Sequence, residues 1–260
     1  MITFDFKDRV ALVTGSGRGI GFATARMFLE AGARVMLNDV SQARLDSALE
    51  KLGSYGERVA AFRADVGSRA EVESMFGALI GRWGRIDILV NNAADRPEAR
   101  LVDMTEEQWD RNVDSILKGA FNCSQLAAKR MIEQGGGGKM VNISSGSYRT
   151  ARVGASAYCA SKAGLVMFTA VLAQELGPHK INVNSVAPGL VDVGVDRTLA
   201  KAVYDNATVE ATPWGRAGTP EDVAYVILML CSEEAEYTTG AVVSVDGGLS
   251  LGRYPIPGSV

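Results

Sequence analysis

Seven parallel strands with helices on both faces of one sheet, an α/β fold, are predicted for this 260-residue chain by three observations. Short apolar runs alternate with longer helical patterns from end to end, as in successive βαβ units. The apolar runs lack strict polar alternation, as expected of strands covered on both faces. A cluster of glycines directly follows the first strand and opens the first helix.

Taken in order, Val10 to Val13 is the first strand and residues 19–31 the first helix. Val35 to Leu37 and 42–54 follow, then Val59 to Phe62 and 69–83. Ile86 to Val90 is the fourth strand, and one long helix is expected over 106–134. Gly135 to Gly138 reads as a loop before the strand Lys139 to Ile143. The alanine-rich run beginning at Ala155 predicts a helix over 155–176, followed by the strand Ile181 to Val186. Thr219 as N-cap, Pro220 at the first helical position and the acids Glu221 and Asp222 start a helix over 220–232. Ala241 to Val245 is the seventh strand. Residues 190–218 break the alternation, with weak helical pattern, several turn-formers and no clear strand, and read as a substrate loop. No Pro/Ser-rich linker divides the chain, so residues 1–260 read as one domain, with 251–260 as a C-terminal tail.

The formal net charge of -3, with no block of clustered Lys and Arg, argues against a nucleic-acid partner and points to a small molecule. Cys123, Cys159 and Cys231 have no metal-like spacing and cannot all pair, which suits buried thiols in a reducing compartment. A single histidine, His179, leaves a His-based metal site or a Ser/His/acid triad poorly supported, and no metal is expected. The N-terminus lacks the basic-then-apolar order of a signal peptide, and the apolar stretch Ala163 to Ala173 is short for a membrane span. A soluble cytoplasmic protein without a membrane partner is the expectation.

Three constellations carry chemistry. Gly15, Gly19 and Gly21 lie in the run Thr14 to Gly21, where a tight backbone and the helix N-terminus suit a pyrophosphate. Asp39, eighteen residues beyond Gly21 at the end of the second strand, is placed to accept hydrogen bonds from a ribose; its alternative is a turn residue. Tyr158 and Lys162 are four apart, which places phenol and ammonium on one helix face. An ammonium beside a phenol favours the phenolate, as acid/base work near neutrality requires. Taken alone, the same spacing also describes a surface pair.

Thr14 to Gly21, Asp65 with Val66, Asn91-Asn92-Ala93, Asn112, Ser145, Tyr158 with Lys162, and Pro188-Gly189 occur in the order and spacing of one family. Over essentially all of residues 7–250 the chain resembles the classical short-chain dehydrogenase/reductases. The resemblance implies a Rossmann-type doubly wound sheet, a nicotinamide cofactor, reversible oxidation of an alcohol to a carbonyl, and a homotetramer. By position, Tyr158 resembles the general acid/base, Ser145 rather than Ser144 the donor to the substrate oxygen, and Lys162 the group that holds the nicotinamide ribose. Asn112 resembles the support of a proton-relay water. On the cofactor side the resemblance covers Gly15, Arg18, Gly19, Ile20, Gly21, Asp39, Asp65, Val66, Asn91, Ala93, Pro188 and Gly189. Val193 stands where many relatives have a threonine, and Ala94 where a glycine is usual.

Asp39 would repel the 2′-phosphate of NADP, whereas Arg18 stands where a basic residue often accompanies NADP; NAD is the expected cofactor, with NADP as the alternative. Arg96 and Arg100, with Arg149 and Arg152, fall on loops at the expected mouth of the site, and Arg96, Arg149 and Arg152 are candidates for an anionic group on the substrate. The neutral run Gly135 to Gly138 argues against an acidic carrier protein. The expected substrate is a secondary alcohol or ketone, such as a sugar, polyol or hydroxy acid. A 3-oxoacyl-thioester reductase is the alternative, and an NAD-binding sensor or scaffold the non-enzymatic one. A methyltransferase on a similar sheet would leave Tyr158 and Lys162 unexplained. Tyr254, Pro255, Ile256 and Pro257 make the tail apolar enough to be expected against a neighbouring subunit.

Overall fold

The computed structural model describes residues 4–194 and 199–251. Its strands are β1 (Val10–Val13), β2 (Arg34–Asp39), β3 (Val59–Arg63), β4 (Ile88–Asn91), β5 (Gly138–Ile143), β6 (Ile181–Pro188) and β7 (Val242–Val245). The helices are α1 (Gly19–Glu30), α2 (Gln42–Leu52), α3 (Arg69–Trp83), α4 (Glu106–Val113), α5 (Gly119–Gln134), α6 (Ser156–Leu176), α7 (Leu199–Ala211) and α8 (Pro220–Cys231). The strands form one sheet, ordered β3-β2-β1-β4-β5-β6-β7, and every pairing is parallel. After β3 the chain crosses back to place β4 on the free side of β1. That reversal opens a crevice at the carboxyl ends of β1 and β4, where ligands of such sheets bind.

Strand residues alternate between two apolar cores. Ala11, Val13, Val35, Leu37 and Val90 meet Phe28 and Leu29 of α1, Leu45 and Leu52 of α2, and Ile227 and Leu228 of α8. Val10, Leu12, Met36 and Leu89 meet Met75 and Leu79 of α3, Ala127 and Met131 of α5, and Leu176 of α6. Burial on both faces explains the unbroken apolar runs in the sequence. The start of α8 is as expected: Thr219 Oγ accepts from the Asp222 amide, Asp222 returns the bond to the Thr219 amide, and Pro220 fills the first turn.

At three places the structure adds to these expectations. The helix expected over 106–134 is α4 and α5 joined by a π-helical turn, Asp114–Lys118, which begins two residues after Asn112. The described residues within 190–218 include the thirteen-residue helix α7 and a parallel bridge from Val191 to Gly218. The glycines before β5 lie at the amino end of that strand, across the sheet from the crevice. Gly138 is the first residue of β5. Side chains at Gly137 and Gly138 would collide with the Lys180 carbonyl and the Met131 sulfur. Close packing therefore explains these two glycines.

Among the described residues one stretch, Ser156–His179, is long and apolar enough to cross a membrane by length and composition. It lies against the sheet, with Leu165, Thr169, Ala173 and Leu176 buried. Cys123 and Cys231 are buried free thiols whose desolvation pushes both up to about 12, and Cys159 is half-buried. Except for Leu251, the expected tail lies outside the described residues.

Candidate active site

The crevice is built from chain segments leaving the carboxyl ends of β1, β4, β5 and β6. After β1 the chain turns through Gly15, at φ +60°, where a side chain would sit 2.8 Å from Ala93 Cα. At Gly21 a Cβ would lie 2.5 Å from the Gly15 carbonyl oxygen. Glycine is needed at both, because the loop folds back on itself and on the end of β4. Asn92 fastens this loop. Its Nδ2 donates to the carbonyls of Thr14 and Gly15, each at 2.9 Å, and its amide and that of Ala93 donate to Thr14 Oγ1 at 2.9 and 3.1 Å.

The start of α1 suits an anion. Arg18 occupies the N-cap with an extended backbone and no capping side-chain bond, and the first turn contains no acid. The first-turn amides, with the positive end of the helix dipole, face the crevice without a side-chain acceptor, as a pyrophosphate requires. Ile20 is half-buried behind them. Asp39 is buried at the end of β2, where Oδ1 accepts from the Ser41 amide at 3.0 Å and pairs with Arg44 Nη1 at 3.3 Å. Its Oδ2 faces Gly17, where a Cβ would be 2.8 Å away. Asp65 is exposed, with Oδ1 accepting from the Gly67 amide at 2.8 Å, and Val66 is buried beside it against Gly119.

At the end of β4 the Asn91 side-chain amide turns inward. Nδ2 donates to Ser124 Oγ at 3.0 Å and Asn142 Oδ1 at 2.8 Å, and Asn142 Nδ2 donates to Thr169 Oγ1 at 2.9 Å. This buried chain ties β4, β5, α5 and α6 together beneath the crevice. Across from it, Gly189 follows β6 and packs on Asp246, and Pro188 pairs in register with Val245. A methyl group at Gly19 would sit 3.2 Å from Val193 Cγ1, so the residue that departs from the family pattern lies over the glycine loop.

Tyr158 and Lys162 share the buried face of α6, and Lys162 Nζ is 5.6 Å from the Tyr158 ring centroid. Tyr158 packs with Ile116, Ala120, Ala155 and Leu165. Lys162 is 3% exposed and donates from Nζ to the Ile143 carbonyl at 2.5 Å. Burial, and secondarily the charge of Arg96, push this ammonium down to about 7.

The two serines after β5 separate by environment. Ser144 is buried and donates from Oγ to the Lys162 carbonyl at 3.1 Å, whereas the half-buried Ser145 Oγ accepts from the Ser147 amide at 3.2 Å. That bond occupies an acceptor site on Ser145 and directs its hydroxyl proton elsewhere. Asn112 is fully buried. Its Nδ2 donates to the carbonyls of Pro97 and Gln108 at 3.1 and 3.0 Å, while Oδ1 has no hydrogen-bond partner among the described residues.

The arginines divide as well. Arg149 Nη2 donates to Ser250 Oγ at 2.5 Å, fastening the loop after β5 to the turn after β7. Arg152 pairs with Glu98 at 2.5 Å, and its guanidinium lies 5.6 Å from the Tyr158 ring centroid. Arg96 is exposed, 5.8 Å from the same ring. Arg149 and Arg152 are thus committed within the protein.

Asn92, Thr14 and Ser144 were within view of the sequence, since all three lie in or beside the motif runs. The Ser124, Asn142 and Thr169 chain gave no local signal, because its members stand far apart and meet only through the fold.

A family described as enoyl-(acyl carrier protein) reductase matches residues 15–250. A 3-oxoacyl-[acyl-carrier-protein] reductase of Thermotoga maritima is 39% identical over 243 residues, which is 94% of this chain and 98% of that protein. A putative short-chain alcohol dehydrogenase of Sinorhizobium meliloti superposes with a TM-score of 0.91 at 34% identity, covering 97% of this chain and 100% of that one. A putative gluconate dehydrogenase of Agrobacterium tumefaciens gives 0.89 at 32% identity, covering 96% and 99%.

Proposed function

The chain belongs to the short-chain dehydrogenase/reductase family of NAD(P)-dependent oxidoreductases, and from that premise we propose that it oxidises a secondary alcohol, or reduces the ketone, on a sugar, polyol or hydroxy acid. The observation that carries the reading is Tyr158 held on one helix face with the buried Lys162, at the crevice fed by the glycine loop. Gly15, Gly19, Ile20 and Gly21, with the free amides at the start of α1, would hold the pyrophosphate, and Asp39 the adenine-side ribose. Asp65 and Val66 would border the adenine, and Ala93, Pro188 and Gly189 the nicotinamide half. Bound there, the nicotinamide supplies or accepts the hydride.

The protein's own groups handle the proton. In reduction, Ser145 Oγ donates a hydrogen bond to the substrate oxygen as negative charge grows on it, and Tyr158 Oη delivers the proton. Lys162, held beside the Tyr158 ring, would bind the nicotinamide ribose. Asn112 Oδ1, without a donor among the described residues, would accept from the water that returns the proton to Lys162. The test is a panel of sugars, polyols, hydroxy acids and 3-oxoacyl thioesters, followed by nicotinamide absorbance with NAD and NADP. Turnover confined to thioesters would replace this substrate class with the activity of the Thermotoga relative.

NAD is the proposed cofactor, because Asp39 Oδ2 faces Gly17 in the glycine loop and meets a 2′-phosphate with like charge. Asp39→Ser is expected to raise the NADP to NAD ratio of kcat/KM at least about tenfold, a difference of about 1.4 kcal/mol. It also frees Arg44 and leaves Arg18 unopposed. An unchanged ratio would move the preference elsewhere.

We further place the protein in the cytoplasm, in keeping with its three free thiols, and propose a homotetramer. Trp109, Phe121, Met167 and Val171 are 40–65% exposed on α4, α5 and α6, a large apolar presentation for a lone chain. Phe121→Glu combined with Met167→Glu is expected to yield smaller species by light scattering with unchanged far-UV circular dichroism.

A further inference from the structure

The loop leaving β4 is fastened on both sides of Arg96. The Asp95 amide donates to Ser115 Oγ at 2.9 Å, and its carboxylate accepts from Arg111 Nε and Nη2 at 2.9 and 2.7 Å. The Pro97 carbonyl accepts from Asn112 Nδ2, Glu98 pairs with Arg152, and the Ala99 amide donates to the Gly154 carbonyl at 3.0 Å. Arg96 stands in the middle with its backbone held on both sides.

Two ion pairs hold this loop, Asp95 with Arg111 and Glu98 with Arg152, and neither includes Arg96 or Arg100. Among the described residues Arg96 has no carboxylate partner, and its guanidinium faces the Tyr158 ring at 5.8 Å. Two further cations, Arg152 and Lys162, lie 5.6 Å from that ring centroid. Arg152 is offset by Glu98, so Arg96 brings a further positive charge to the ring, and an anion arriving there is attracted to it. The guanidinium fork matches a carboxylate in two parallel hydrogen bonds.

We propose that the substrate bears a carboxylate within a few bonds of the reacting carbon and that Arg96 binds it. This deepens the dehydrogenase reading and rests on Tyr158 standing at the reacting carbon. Among the proposed substrates it selects hydroxy acids and sugar acids over neutral sugars and polyols. A 3-oxoacyl thioester has no carboxylate at this position.

The experiment compares kcat/KM for acids and their neutral counterparts: lactate with methyl lactate, 3-hydroxybutyrate with its methyl ester, and gluconate with sorbitol. Wild type, Arg96→Gln, Arg96→Lys and Tyr158→Phe are measured with saturating nicotinamide dinucleotide. The acid is expected to be favoured in at least one pair. Arg96→Gln then lowers kcat/KM for that acid by about 10- to 100-fold, the size of a charged hydrogen bond, chiefly through KM. The neutral member loses at least about tenfold less than the acid, its own change reading the removal of a charge beside Tyr158 and Lys162, and Arg96→Lys recovers part of the difference. No turnover of any acid, equal turnover of acid and neutral member in every pair, or an equal loss on both in Arg96→Gln would overturn the assignment. Tyr158→Phe separates the two levels. Full activity in that variant removes the catalytic reading itself, whereas its inactivity with an unchanged acid preference in Arg96→Gln removes only the carboxylate.

Discussion

Tyr158→Phe is expected to lower kcat by about 10²- to 10⁴-fold, the range of a lost general acid or base. The variant should leave the fold intact. The ring is what packs with Ile116, Ala120, Ala155 and Leu165, and phenylalanine keeps it. Removing only the hydroxyl deletes the proton donor while the buried apolar contacts remain, so the melting temperature should stay near that of the wild type. Dinucleotide affinity should also be nearly unchanged, because the glycine loop, α1 and Asp39 are untouched. Measured together, kcat, the melting curve and the dissociation constant of the dinucleotide isolate the chemistry. Near wild-type kcat would sink the proposed role of the phenol.

Lys162→Met should lower activity and remove a pH dependence from stability. Loss of the ammonium is expected to reduce kcat/KM by about 10²-fold or more, as when one preorganised charged donor is removed. Stability behaves differently because burial holds the Lys162 ammonium down to about 7, whereas an unfolded lysine titrates near about 10.4. Below the folded value both states carry the proton, and the folded state bears the full cost of a buried charge. Between the two values the unfolded state binds more protons, so wild-type stability rises with pH. Above the unfolded value both are neutral and the cost is gone. Methionine has no such titration. The wild type should therefore gain melting temperature relative to Lys162→Met from pH 7 to 9.5, whatever constant offset follows from leaving the Ile143 carbonyl without its donor. Parallel melting profiles would show that Lys162 titrates as an ordinary lysine.

These two residues also show why the crevice needs more than a motif. Lys162 is fixed by the Ile143 carbonyl at the end of β5, and Ser144 fixes the α6 backbone at Lys162 itself. Neither contact is implied by the four-residue spacing from Tyr158. Beneath them the Asn91, Asn142 and Thr169 chain satisfies polar groups that would otherwise be buried without partners, and so holds β4, β5 and α6 in one arrangement.

The sequence by itself determined the architecture. Seven strands and their parallel sheet follow from unbroken apolar runs separated by helical patterns, and the observed strand ends differ from the expected ones by about two residues. The glycine loop, Asp39 and the Tyr158 and Lys162 pair were legible because each depends on local spacing along one element or one turn. The π-helical turn after Asn112 and helix α7 were not, since one is a local distortion within a helical pattern and the other has only weak periodicity of its own. Only the tertiary structure decided the directions of side chains whose partners are distant in sequence. Asn91 turns inward to Ser124 and Asn142, Asn92 pins Thr14 and Gly15, and Ser144 faces the α6 backbone. It also separated the three loop arginines that the sequence offered together for an anionic group. Arg149 is tied to Ser250 and Arg152 to Glu98, while Arg96 keeps its charge open beside Tyr158. The reason is physical: periodicity fixes which face of an element is buried, but hydrogen bonds and ion pairs between elements exist only once the sheet order has brought those elements together.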